Sequence, residues 1–264
     1  MIPAAAITAW GTTRPWPNRD QVEQDLLLAR TIVAIYNDPL LSTELVFRGG
    51  TCLHQAHLPI PLRYSEDLDF VRRTHTEIGP IFDAPRDVAA IVGLSVKDTV
   101  VGQHPKMRFQ AAATGSAATL RIKVEINTHE TSPAQDLIEL PLSVSSTWFS
   151  GGCGLTTFRP AELASTKIRA LFQRSKGRDV FDLWLALEHM HVDPQEILDC
   201  FDPYRPEGFT SARAIENLRL KLMKDTFRSD LDLLVARQPP GYDIDKAGTL
   251  IIEKLLSHVQ DPRK

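Results

Sequence analysis

From Phe47 to Phe70 the chain reads FRGGTCLHQAHLPIPLRYSEDLDF. A Gly49-Gly50-Thr51 turn precedes a short helical stretch, and Asp67-Leu68-Asp69 follows on a strand-like run. Side chains two apart on a strand share a face, so Asp67 and Asp69 can grip one divalent ion together. Glycines and a hydroxyl residue opening a helix can cradle phosphate on exposed backbone N–H groups. A phosphate cradle facing a carboxylate pair is the equipment of phosphoryl or nucleotidyl transfer. The stretch points to an enzyme.

The flanking sequence supplies the frame. Asn18 or Asp20 caps a helix whose apolar positions run through Val22, Leu26, Ala29, Ile32 and Tyr36, and Asp38-Pro39 ends it. Leu45–Arg48 reads as a strand running into the turn, 51–57 as a short helix stopped by Pro59 and Pro61, and Asp67–Arg72 as the next strand. A helix is expected near 84–91, then strands at 94–101, 106–112 and 118–127. In the last, Leu120, Ile122, Val124 and Ile126 alternate with Arg121, Lys123 and Glu125. The glycine-rich SGGCGL at 150–155 reads as a domain joint. Helical patterns follow from Pro160 and Arg178, then near 194–201, 210–225 and 246–259. The expected organisation is an α/β domain over 1–154 and a helical domain over 155–264, the latter completing the nucleotide and acceptor site.

The 264 residues are 43% hydrophobic and 24% charged, with no apolar run long enough to span a bilayer, so no membrane partner is expected. The N-terminal MIPAAAITAW lacks a basic leader, and Cys52, Cys153 and Cys200 show no CxxC spacing. A reduced, cytoplasmic setting fits, without a zinc site or disulfide framework. Net charge is −3, yet the 159–178 stretch carries Arg159, Lys167, Arg169, Arg174, Lys176 and Arg178 against Glu162 alone. Such a run is either a solvated helix face or a surface for phosphates.

Several residues are candidates for chemistry. Lys167 shares a helical stripe with Leu163 and Leu171, either snorkelling from the core edge or aimed into a cleft. Asp179 reads as a first-turn acid favouring the helix dipole, and Asp182, deeper in the helix, as the site residue. Glu125 is either a third carboxylate for the metal or a cross-strand ion-pair partner. His54 and His57 lack a third ligand and read as packing or surface histidines. Ser65 lies two residues before Asp67, where it joins the nucleotide-binding group. A phosphate added there would compete for the metal and the triphosphate pocket.

With these motifs in order, the chain resembles the AbiEii/AbiGii (MenT-like) toxin family of nucleotidyltransferases. The resemblance rests on Phe47-Arg48-Gly49-Gly50-Thr51, on Arg63-Tyr64-Ser65-Glu66-Asp67-Leu68-Asp69-Phe70, on Lys167, and on Arg178-Asp179-Val180-Phe181-Asp182-Leu183. It implies a polymerase-β-like nucleotidyltransferase core followed by a helical C-terminal domain. It implies a toxin encoded beside a cognate, AbiEi-like antitoxin. Its activity would transfer NMP from an NTP, with Mg2+, onto the 3′ acceptor end of tRNA, which blocks aminoacylation. On the family pattern Gly49, Gly50 and Thr51 match the first motif and Asp67 and Asp69 the metal pair. Lys167 matches the nucleotide-binding lysine and Asp182 the last acid, while Glu125 rests on the strand argument alone. Arg169, Arg174, Lys176 and Arg178 are candidate tRNA contacts. A protein or small-molecule acceptor, and an inactive antitoxin-binding module, are the competing readings.

Overall fold

Alternating burial along the central strands separates a sheet's apolar face from its polar one, and that separation organises the first half of the chain. The computed structural model describes residues 2–74, 79–100, 105–130 and 132–261. It divides into two compact units, Met1–Ser132 with Leu137–Phe158, and Pro133–Asp136 with Arg159–Lys264.

The first unit contains helices α1 (Ala4–Gly11), α2 (Arg19–Asn37), α3 (Pro39–Glu44), α4 (Gly49–Ala56) and α5 (Gly79–Val92). Its strands are β1 (Leu45–Arg48), β2 (Asp67–Arg72), β3 (Ser95–Val100), β4 (Lys106–Ala112), β5 (Thr119–Asn127), β6 (Ile138–Ser145) and β7 (Ser150–Thr157). Among the described residues they form one seven-stranded sheet, in the order β3-β4-β5-β2-β1-β7-β6. β2 runs antiparallel to β1 and parallel to β5. Leu68 and Phe70 are buried, and Phe70 stacks on Phe47 at 5.1 Å and meets Tyr36 of α2 at 6.3 Å. Helix α2 thus covers the Phe70 face, and Asp67 and Asp69 point to the other.

The expected α/β half followed by a helical half is what the structure shows, with local differences. Asn18 caps α2 in a reciprocal capping box with Gln21. Asp38 ends α2 and also caps α3, accepting from the N–H groups of Leu40 and Leu41. The strand expected at 94–101 spans Ser95–Val100, and Val101 lies outside the described residues. The glycine-rich stretch read as a joint is strand β7, paired along its length with β6. Its glycines answer to close approach: a Cβ on Gly154 would fall 2.3 Å from Glu139 Oε1, and one on Gly152 3.0 Å from the Leu142 carbonyl oxygen.

Three consecutive polar residues on α2 are buried: Glu23, Gln24 and Asp25. Each holds something specific. Both Glu23 carboxylate oxygens accept from the Thr114 N–H, at 3.0 and 2.9 Å. Gln24 donates to the Arg121 carbonyl at 2.7 Å and accepts from the Arg121 N–H at 3.2 Å. It replaces a ladder partner there, because β2 pairs with β5 only from Lys123 onward. Asp25 accepts from Trp10 Nε1 of α1 at 2.8 Å and from Gln55 Nε2 of α4 at 2.7 Å. Burial pushes the Asp25 carboxyl up to about 6, against hydrogen bonds that draw it down.

The second unit is helical: α6 (Pro160–Gln173), α7 (Arg178–Trp184) running into a π-turn at Leu185–His189, α8 (Pro194–Asp199), α9 (Ser211–Leu222), α10 (Asp225–Arg228) and α11 (Ile244–Lys254). Phe181, Trp184 and Tyr242 pack together at 5.0–5.6 Å and anchor α7. Among the described residues no helix is long and apolar enough to cross a membrane.

The Asp25 shift has a definite sign. Between 3.8 and about 6 the folded chain retains a proton that the unfolded chain releases, so this group's contribution falls as pH rises through that window. Urea unfolding of Asp25→Asn and wild type at about pH 4 and about pH 7 should show the wild type losing up to about 3 kcal/mol more than the variant. Equal losses in both proteins would show that Asp25 ionises freely in the fold.

Candidate active site

The turn between β1 and α4 leaves room only for glycine. Gly49 has φ +82°, and a Cβ there would fall 2.4 Å from Asp69 Oδ2. A Cβ on Gly50 would fall 2.4 Å from Arg63 Nη2 and 3.4 Å from Ser65 Oγ. Arg63 is buried and donates to the Tyr64 carbonyl at 3.0 Å. The first N–H groups of a helix have no intrahelical acceptor, so the start of α4 offers donors and the positive end of a dipole. Asp69 lies against that end.

Thr51 is buried, and its hydroxyl hydrogen-bonds the Asp67 carbonyl oxygen and lies 2.8 Å from Ser65 Oγ. That hydroxyl clips α4 to the head of β2. His54 is buried and accepts from the Leu62 N–H at 3.3 Å, the packing role expected of it. His57 is pushed down to about 4 by burial.

Strand register assembles the charges. Arg48 faces Asp69 across β1 and β2, Asp67 lies beside Lys123, and Asp69 beside Glu125. Lys123 Nζ sits 3.0 Å from Asp67 Oδ2 and 3.4 Å from Glu125 Oε2, and Lys106 Nζ is also 3.4 Å from Glu125 Oε2. Arg48 pairs with Glu130 at 2.5 Å. Burial and the charge of Asp67 hold the Asp69 carboxyl above its ordinary range, partly offset by Lys123 and Arg48. The Lys123 ammonium is also held high: burial alone would lower it, and Asp67, Asp69 and Glu125 together outweigh that.

Two carboxylates on one strand face, one held up by burial and by the other's charge, suit a hard divalent cation, which relieves that repulsion. Among the described residues no group of three or more His, Cys, Asp or Glu side chains is arranged to hold an ion. Of the two readings of Glu125, the ion pair is the arrangement the structure displays. Mg2+ commonly takes one or two protein carboxylates and completes its shell with water and substrate phosphates.

In the helical unit, Lys167 is buried, with Nζ 2.7 Å from Asp182 Oδ2 and 3.8 Å from Asp179 Oδ1. Asp179 is more than a first-turn acid. It is fully buried and takes a two-pronged hydrogen bond from Arg174, at 2.8 and 2.7 Å. Arg178 makes a similar fork to Asp230, at 2.9 and 3.0 Å, with Lys176 3.4 Å from the same carboxylate. The guanidinium of Arg169 lies 5.6 Å from the centre of the Tyr204 ring. Most of the basic run is therefore matched by acids, all of them from beyond its C-terminal end. Lys221, which the sequence did not single out, caps α6 by donating to the Leu171 and Phe172 carbonyls. Burial pushes its ammonium down to about 8.

Comparison with known proteins agrees with this picture. The family model for the nucleotidyl transferase AbiEii toxin of type IV toxin–antitoxin systems matches residues 30–249. MenT4, a nucleotidyltransferase toxin from Mycobacterium tuberculosis H37Rv, has a similar fold, with TM-score 0.63 at 15% identity over 98% of this chain and 91% of that one. JHP933 from Helicobacter pylori aligns with TM-score 0.56 at 18% identity over 90% of both chains. No curated protein matches the chain.

Removing Lys167 takes a cation from two buried carboxylates. Lys167→Ala should lower unfolding stability by roughly 3 kcal/mol, read from urea denaturation. Wild-type stability in that variant would show the cluster to be solvated and weakly coupled.

Proposed function

The chain belongs to the AbiEii family of nucleotidyltransferase toxins, and on that premise we propose that it transfers a nucleoside monophosphate from an NTP to the 3′ acceptor end of tRNA. Membership in a toxin–antitoxin family implies an antitoxin partner, which we take to be AbiEi-like and encoded alongside. Acting on tRNA places the enzyme in the cytoplasm. The observation that carries the reading is the glycine turn at positive φ pressed against Asp69, with Asp67 two residues away on the same strand face.

In this mechanism Asp67 and Asp69 would hold Mg2+, which when bound would supply charge neutralisation on the triphosphate. The backbone N–H groups of Gly49, Gly50 and Thr51 bind phosphate oxygens, with the α4 dipole adding to the attraction. Ser65, hydrogen-bonded into the same corner, borders the phosphate-binding turn. Lys167 is assigned to the nucleotide on the family pattern, and Asp182 orients its ammonium. The acceptor hydroxyl oxygen bonds to the α-phosphorus, the bond to pyrophosphate breaks, and the hydroxyl proton passes to water. Preorganised donors and charges contribute most of the rate in such a reaction.

Arg169, Arg174, Lys176 and Arg178 are proposed to touch the tRNA backbone. The side chains of Arg174 and Lys176 are 51% and 50% exposed, so each is accessible to a phosphate. Binding through such contacts weakens as salt rises.

Purified protein incubated with Mg2+, each α-32P-labelled NTP in turn and total tRNA should label tRNA. Asp69→Asn, folded by circular dichroism, should lower that labelling by at least roughly 100-fold. Label on protein from an added extract would replace tRNA with a protein acceptor. Transfer retained by a folded Asp69→Asn would remove the β2 pair from the mechanism.

A further inference from the structure

Lys123 stands out among the charged groups because it already occupies a carboxylate oxygen that the proposed metal site needs. The parallel register of β2 and β5 places it beside Asp67, and its ammonium lies 3.0 Å from Asp67 Oδ2. The same nitrogen is 3.4 Å from Glu125 Oε2. We propose that Lys123 is a built-in counter-ion that competes with the divalent cation for Asp67 and withdraws toward Glu125 when the cation loads. The inference rests on reading Asp67 and Asp69 as the metal ligands.

The competition is electrostatic. An ammonium and a divalent cation on one carboxylate repel each other strongly at these distances, since the site is only partly screened by solvent. One must leave Asp67. The lysine stem is flexible and its head is a point charge, so it can swing without breaking a planar fork. Glu125 is already within reach and keeps the displaced ammonium paired. Lys106, 3.4 Å from Glu125 Oε2, remains on the far side of that acid.

The consequence is selectivity for how the metal arrives. A bare cation must displace Lys123 against its attraction to Asp67. A cation carried on a triphosphate brings negative charge that offsets the repulsion. Lys123 therefore favours loading of metal and nucleotide together and suppresses metal binding alone. It acts through Asp67 and is a positioning residue.

The test is titration of the full chain with Mn2+ alone, without nucleotide, followed by the electron paramagnetic resonance signal of free Mn2+. Lys123→Met should bind Mn2+ about tenfold more tightly than wild type, with Lys123→Gln as a second variant of different polarity. Lys106→Met, which removes an equal charge that does not touch Asp67, should change the affinity by no more than about twofold. Glu125→Gln should weaken Mn2+ binding, because the displaced ammonium loses its second carboxylate. Equal tightening in the Lys123 and Lys106 variants would reduce the effect to general field and overturn the inference. No tightening in either Lys123 variant, with wild-type binding intact, would overturn it too. Mn2+ that binds neither wild type nor Lys123→Met would overturn the metal reading and this inference with it.

Discussion

Where β1 hands over to α4, the backbone turns through Gly49 at φ +82° with Asp69 Oδ2 lying where any Cβ would project. This close approach ties three things together. It brings the N-terminal end of a helix against a carboxylate, a favourable pairing of dipole and charge. It requires β1 and β2 to pair in the register that sets Arg48 opposite Asp69. It also obliges α4 to stay where it is, which the Thr51 clip to Asp67 and the Gln55 bond to Asp25 both serve. A side chain at Gly49 would disturb all three at once, and left-handed backbone would add strain for an L residue.

The polar interior follows from the same requirement. Glu23, Gln24 and Asp25 are buried at a cost in desolvation, and hydrogen bonds to N–H, amide and carbonyl groups offset it. In return they fix positions that apolar packing would leave free to slide: the Thr114 turn, the start of β5 beyond its ladder, and the α4 helix. The helical unit shows a parallel arrangement in which Arg174 and Lys167 converge on Asp179 and Asp182. Breaking such a buried group is costly even where the assembled group adds little net stability.

Much of the fold was legible because alternation is a strong signal. Leu120, Ile122, Val124 and Ile126 are all buried, and the Asp67–Arg72 strand begins and ends as read. The strand β7 was hidden because glycines carry no side-chain pattern, and their role is contact with β6 rather than flexibility. Helix α1 is weakly amphipathic and α3 spans only Pro39–Glu44, so periodicity gave little to detect. In the site, the residue types and their order on β1, α4 and β2 were visible in the chain. The pairing of Lys123 with Asp67 was not, since strand register between distant segments is not written in either one. The same limit applies to the basic 159–178 run. Its acid partner Asp230 comes from far along the chain, and Asp179 lies just beyond the window.

The proposed function requires the carboxylate pair on β2 to be a metal–triphosphate centre. Crystals grown with Mn2+ and a non-hydrolysable NTP analogue, with diffraction recorded at a wavelength where manganese scatters anomalously, test it directly. The expected result is an anomalous peak coordinated by Asp67 and Asp69, with triphosphate density at the N-terminus of α4. A peak elsewhere, with no density at these two carboxylates, would contradict it.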